Sequence, residues 1–158
     1  MALLKEGKLA KDIWNFVGEG QDPLSVENPI VGMEVWHKNQ TALLQGNNPI
    51  GLFLHCDDRL EEITNWLDKF DVIAIDFPVF SDGRGFSSGR LLRERFGYKG
   101  ELRAVGDIRR DQHLFLLRCG FDAFEVGEDA DIQAWNKSGE EFSIYYQPAS
   151  DDVPWALR

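Results

Sequence analysis

Val72-Ile73-Ala74-Ile75 decides the fold. Four apolar residues in a row, without polar alternation, fit a strand buried on both faces. Reading outward, the same pattern recurs at Ile50-Gly51-Leu52-Phe53-Leu54, at Leu102-Arg103-Ala104-Val105 and at Ala123-Phe124-Glu125-Val126. Helical stretches lie between these runs. Asp57 or Asp58 can cap a helix that places Leu60, Ile63, Leu67 and Phe70 at helical spacing. Ser87 can cap a second, running to Phe96 and stopped by Gly97. Asp107 can cap a third, running through Cys119 and stopped by Gly120, and Asp129 to Lys137 is a weaker last helix. Strand and helix alternate at least three times, which predicts an α/β protein with a parallel sheet of alternating βα units. A complete eight-unit barrel needs roughly 200 residues or more. A chain of 158 residues is therefore left with an open sheet or an incomplete (β/α) barrel.

Upstream, Met1 to Val17 reads as an N-terminal hairpin turning at Glu6-Gly7-Lys8. Gly18 to Pro29 reads as a loop, and Val31 to Gln45 as a helix stopped by Gly46, followed by a turn at Asn47-Asn48-Pro49. Downstream, Phe142 to Tyr146 is strand-like and Pro148 opens a tail. The expected organisation is one domain over 1–158: hairpin and loop in 1–29, α/β core in 50–137, tail in 148–158.

Seventeen Lys and Arg against 27 Asp and Glu give a formal charge of −10. A general nucleic-acid binder needs the opposite balance, so nucleic acid is excluded as a partner class. Lys5, Lys8, Lys11 and Asp12 interrupt the apolar residues of the N-terminus, which rules out a signal-peptide core there. No apolar run approaches the length of a membrane helix. The cytoplasm is the expected location. Cys56 and Cys119 form no CxxC and have no neighbouring ligand set, so no metal site is expected.

The charge is uneven. Asp76 to Phe124 holds nine of the 17 basic residues and seven of the 27 acidic ones, a local balance of +2. Eight of its nine basic residues are arginines. Arginine offers a planar fork that matches a carboxylate, sulfate or phosphate. Arg90, Arg95 and Arg118 read as solvated helix surface. Arg84 reads differently, because it sits in Ser81-Asp82-Gly83-Arg84-Gly85, a loop after a buried strand, where parallel α/β proteins bind ligands.

Side by side, the strand ends would present His55, Cys56, Asp57 and Asp58, then Asp76 and the loop to Ser87, then Asp107 to Gln112, then Glu125. Candidate acid/base groups are Asp76, Asp82 and Asp107. Candidate anion binders are Arg84, Ser87, Arg109 and Arg110, supported by Gly83, Gly85, Asp111 and Gln112. Asp82 beside Gly83 equally fits loop capping. Gly83 to Gly89 resembles a phosphate loop only in part: six residues, including Pro78, separate Asp76 at the strand end from Gly83, and the spacing departs from G-x-G-x-x-G. A simple anion at the start of the Ser87 helix fits better than a dinucleotide.

Phe77-Pro78, Asp82-Gly83-Arg84-Gly85-Phe86-Ser87, Leu91-Leu92-Arg93-Glu94-Arg95, Gly97-Tyr98, Gly100 to Asp107, Arg110-Asp111-Gln112 and Arg118-Cys119-Gly120-Phe121-Asp122 carry a resemblance. They look like the signature of a bacterial family of unknown function, often called probable oxidoreductase. Its members are encoded beside assimilatory sulfite reductase and phosphoadenylyl-sulfate reductase. The sequence departs from the usual pattern at Phe86, where Tyr is commoner, and at Gly89, where Ala is. The resemblance implies a role in sulfate assimilation, hence cysteine biosynthesis, with sulfite reductase or another enzyme of that route as partner. It supplies no mechanism. No flavin, haem or iron–sulfur motif is present, two isolated cysteines cannot hold a cluster, and no cofactor is expected. Three readings follow: an accessory protein binding an oxyanion or a reductase, a small enzyme using Asp chemistry on an anionic substrate, or a homodimerisation module that covers an open sheet edge.

Overall fold

The computed structural model describes residues 1–140 and Ala149. The expected strand at Phe142 to Tyr146 and the tail from Pro148 lie outside the described residues, apart from Ala149. Among the described residues eight strands form one sheet: β1 (Ala2–Lys5), β2 (Lys8–Ala10), β3 (Asn15–Phe16), β4 (Pro29–Gly32), β5 (Gly51–Leu54), β6 (Val72–Phe77), β7 (Glu101–Gly106) and β8 (Ala123–Val126). Their spatial order is β2-β1-β8-β7-β6-β5-β4-β3. From β3 to β8 every pairing is parallel and every neighbour is consecutive in sequence, while the β1–β2 hairpin adds antiparallel to β8. The sheet is curled into a half-barrel with helices interleaved along it. This settles the choice between an open sheet and an incomplete barrel in favour of the latter.

The curl has a covalent cause. β2 and β3 stand at opposite edges, yet only residues 11–14 join them. Eight strands laid flat would span about 34 Å at the usual strand spacing, whereas the connecting residues reach at most about 18 Å. The linker must therefore cross the concave face. Asp12, at its middle, meets Arg103 of β7 at 2.7 Å.

The two faces of the sheet differ. Leu54, Ile73, Ile75, Phe77, Leu102, Ala104 and Phe124 point to the helical side and join one continuous core with Leu92, Leu116 and Phe121. The concave side carries Ile30, Gly51, Val72 and Glu101 in one register row, and Phe53, Ala74 and Arg103 in the next. A Cβ on Gly51 would lie 2.6 Å from Ile30 and 2.7 Å from Val72, so the missing side chain lets its neighbours meet across it.

Among the described residues four α-helices support the sheet: α1 (Met33–Gln45), α2 (Arg84–Arg90), α3 (His113–Arg118) and α4 (Ile132–Gly139). Several boundaries differ from the sequence expectation. The hairpin ends at Ala10 rather than Val17; its turn uses left-handed Glu6 and Gly7, at φ 50° and 73°. Pro29 begins β4 instead of ending a loop, and the following helix starts at Met33 rather than Val31. Proline is tolerated as the first residue of a strand. Leu60 to Lys69 forms two 3₁₀ segments instead of one α-helix. Ser87 lies inside α2, which starts three residues earlier and runs into a π-helical turn at Leu91–Arg95. Asp107 caps nothing helical: a 3₁₀ turn at Arg110–Gln112 leads into α3. The last helix starts at Ile132 rather than Asp129, capped by Asp131, which accepts the Ala134 N–H. Among the described residues no helix is long and apolar enough to cross a membrane.

His113 illustrates how the helical layer is locked. It is buried, its Nδ1 lies 2.8 Å from the Trp135 carbonyl, and its ring meets Phe124 and Trp135 edge-on. Burial pushes its pKa below 6.5, against the smaller upward pull of the Trp135 carbonyl. The unfolded chain therefore binds a proton near pH 6.5 that the folded protein refuses. The folded state keeps its full advantage above that value and loses it as the pH falls. Thermal midpoints taken at about pH 7.5 and about pH 5.5 should show a larger acid loss in the wild type than in His113→Gln. Equal losses would discard this role for His113.

Candidate functional site

The C-terminal ends of β5, β6 and β7 bring most of the expected residues to one rim, but they arrive already paired. After β5 the chain turns tightly, with the Asp58 carboxylate accepting the His55 N–H at 2.8 Å. His55 and Cys56 then part company. The His55 ring lies 3.4 Å from Asp76 at the end of β6, while the Cys56 thiol donates to Asp82 at 3.4 Å. No Cys–His pair forms. Burial and the bond to Asp82 push the Cys56 thiol up, so it stays protonated at neutral pH.

Asp82 also accepts from Arg84 twice over. The guanidinium grips both carboxylate oxygens, at 2.6 Å for the Nη2 contact, and the Arg84 backbone N–H adds a bond at 3.1 Å. These bonds hold the Asp82 carboxyl well below the usual range and raise Arg84 further. Gly83 precedes α2, and Gly85 packs its bare Cα against the Phe77 ring, where a Cβ would come within 2.7 Å.

The third carboxylate, Asp107, accepts the Phe80 N–H at 3.0 Å and lies 3.6 Å from Arg109. The Arg109 guanidinium rests over the Phe80 ring, 4.2 Å from its centre. Gln112 closes the circuit: it donates to the Phe80 carbonyl and accepts the Arg109 N–H, both at 3.1 Å. The loop after β6 and the turn after β7 are thus stitched together. Their outermost feature is apolar: Val79 is 52% exposed and Phe80 37% exposed.

Ser87 and Arg110 do not join this cluster. Ser87 is exposed on α2 beside Arg90 and Glu94, and Arg110 with Asp111 borders a hollow against Lys137 of α4. Among the described residues no group of three His, Cys, Asp or Glu side chains could hold a metal ion.

A cavity of about 500 Å³ opens beside His55, at the ends of β3, β4 and β5. Phe16, Ile30, Met33 and Phe53 supply its apolar wall. Only His55 and Asp58 of its lining stood out in the sequence. Phe16 and Met33 lay in segments read as hairpin and helix, and the alternation that would reveal the concave face is lost in short apolar strands.

Fold and rim together define a half-barrel α/β protein with a paired, arginine-bearing loop cluster at the C-terminal ends of its parallel strands. The chain belongs to the family described as bacterial protein of unknown function (DUF934), which matches residues 51–155. No curated protein matches it significantly.

Proposed function

We propose that this is a cytoplasmic accessory protein of assimilatory sulfate and sulfite reduction, serving cysteine biosynthesis, and that it docks on a reductase through the loop at 78–82. One observation carries the docking half: Val79 and Phe80 stand exposed on a loop braced by Asp107 and Gln112 and flanked by Arg84 and Arg109. Aromatic and arginine side chains dominate binding energy at interfaces, and a pre-braced loop loses little entropy on docking. Arg84 and Arg109 are each paired with a rim carboxylate, so the exposed apolar loop rather than net charge supplies the docking energy. The sulfur pathway rests on the resemblance of the Phe77 to Phe124 motifs. A free oxyanion is the weaker ligand, since it must displace Asp82 from Arg84.

Co-purification with sulfite reductase tests the partner, and thermal shifts with sulfate, sulfite, phosphate and adenylyl sulfate test the ligand. Phe80→Asp should weaken reductase binding by about thirtyfold or more, the scale of an interface hot spot. No reductase capture and no thermal shift would together overturn the proposal.

The enzyme reading has narrower support. Of its three carboxylates, Asp82 and Asp107 already serve backbone N–H groups and guanidinium ions, which leaves Asp76, whose neighbour is His55.

A further inference from the structure

We infer that the cavity of about 500 Å³ at the ends of β3, β4 and β5 is a binding site for a small organic cation with an apolar body, of the arylamine or alkylamine class. It is distinct from the docking loop.

Its place is where parallel βα proteins put ligands, beyond the carboxyl ends of the strands. Its size suits a small molecule. Its apolar wall is preformed: Phe16 and Phe53 meet edge-on at 5.8 Å, and Phe53 meets His55 edge-on at 4.9 Å. Phe16 is 45% exposed although it sits in a strand, so an apolar ligand would bury surface that water now covers.

The charges of the lining set the sign of the ligand. Glu19, Glu34 and Asp58 line the cavity, and no lysine or arginine does so among the described residues. Glu34 is answered by Lys38 and Asp58 accepts the His55 N–H, whereas Glu19 is solvent-exposed and no contact among the described residues answers it. An ammonium group gains from Glu19 and from the aromatic faces together. His55 adds a polar anchor. With Nδ1–H turned toward Asp76, 3.4 Å away, Nε2 is the ring atom left to accept from a ligand N–H donor. A carboxylate or sulfate would meet the carboxylates of Glu19, Glu34 and Asp58.

The test uses the full chain and three probes on one skeleton: phenethylamine, phenethyl alcohol and phenylpropionate, titrated by calorimetry. Phenethylamine should bind about tenfold more tightly than the alcohol, with phenylpropionate weakest. Phe53→Ala should weaken the amine by about tenfold, and Glu19→Gln should erase most of its lead over the alcohol. Should Phe53→Ala fail to fold, Phe16→Ala at the exposed mouth replaces it. The inference fails if phenethylamine does not bind, if phenylpropionate equals it, or if neither the Phe nor the Glu19 variant changes its affinity. Loss of reductase docking in Phe80→Asp leaves these titrations untouched, so the two proposals fail separately.

Discussion

Arg103→Met is expected to cost about 3 kcal/mol of folding free energy, the low end of what removing one partner from a buried ion pair does. Arg103 is 2% exposed on β7, inside the half-barrel. Its guanidinium bonds Asp12 at 2.7 Å and Glu101 at 2.9 Å. Burial works against its charge, but the bonds to Asp12 and Glu101 outweigh it and keep the group protonated. Glu101 would retain Lys5, at 2.8 Å, and Asp12 is exposed enough to rehydrate, which keeps the cost from the top of the range. Asp12→Asn should cost only about 1 kcal/mol, since Arg103 keeps Glu101 and a neutral acceptor. Urea unfolding of the two variants gives the comparison. Equal losses, or a neutral Arg103→Met, would remove the linker-to-sheet bond from any account of stability.

Gly106→Ala is expected to be comparably severe, at about 3 kcal/mol from a left-handed backbone penalty plus overpacking. Gly106 ends β7 at φ +93°. A Cβ there would lie 2.5 Å from the Phe77 carbonyl and 2.8 Å from the Asp76 carboxylate. The same carbonyl accepts the Asp107 N–H at 2.7 Å, so the clash reaches the turn that carries Asp107. For a chain of this size the thermal midpoint should fall by about 6–12 °C. Gly83→Ala is the control: nothing lies within 4 Å of its Cβ position, and its φ of −86° suits any residue. It should shift stability by no more than about 0.5 kcal/mol. A mild Gly106→Ala would show that the β6 and β7 ends can move apart freely.

These two positions mark where sequence reasoning reaches and stops. The runs at Ile50, Val72, Leu102 and Ala123 are legible because burial on both faces removes polar residues from them. β4 is not, because Asn28-Pro29 carries turn chemistry and Val31 leads straight toward a helical pattern. β3 has two residues, too few for any period. Arg103 sits in an apolar run and so announces that some acid must enter the barrel, but its partner Asp12 is 91 positions away. At the rim, strand ends lead to Asp82, Arg84, Asp107 and Arg109. The same residues also allow the acids to cap loops and pair with the arginines, and loop geometry decides for that pairing at Asp82–Arg84 and Asp107–Arg109. The cavity is hidden for a different reason: much of its wall comes from β3, β4 and the start of α1, the part of the chain with the weakest periodicity.

The sheet order also dictates a timetable. β1 pairs only with β2 and β8, its register running from Ala2 opposite Val126 to Lys5 opposite Ala123. The β1 residues thus wait for nearly the whole described chain to be made before their main partner exists. Pairings this distant in sequence form slowly. The parallel block from β3 to β7 can assemble as it emerges, each strand beside the one made before it. Meanwhile the N-terminal hairpin stays an unattached ribbon with a bare edge, open to chaperones or to a neighbouring nascent chain.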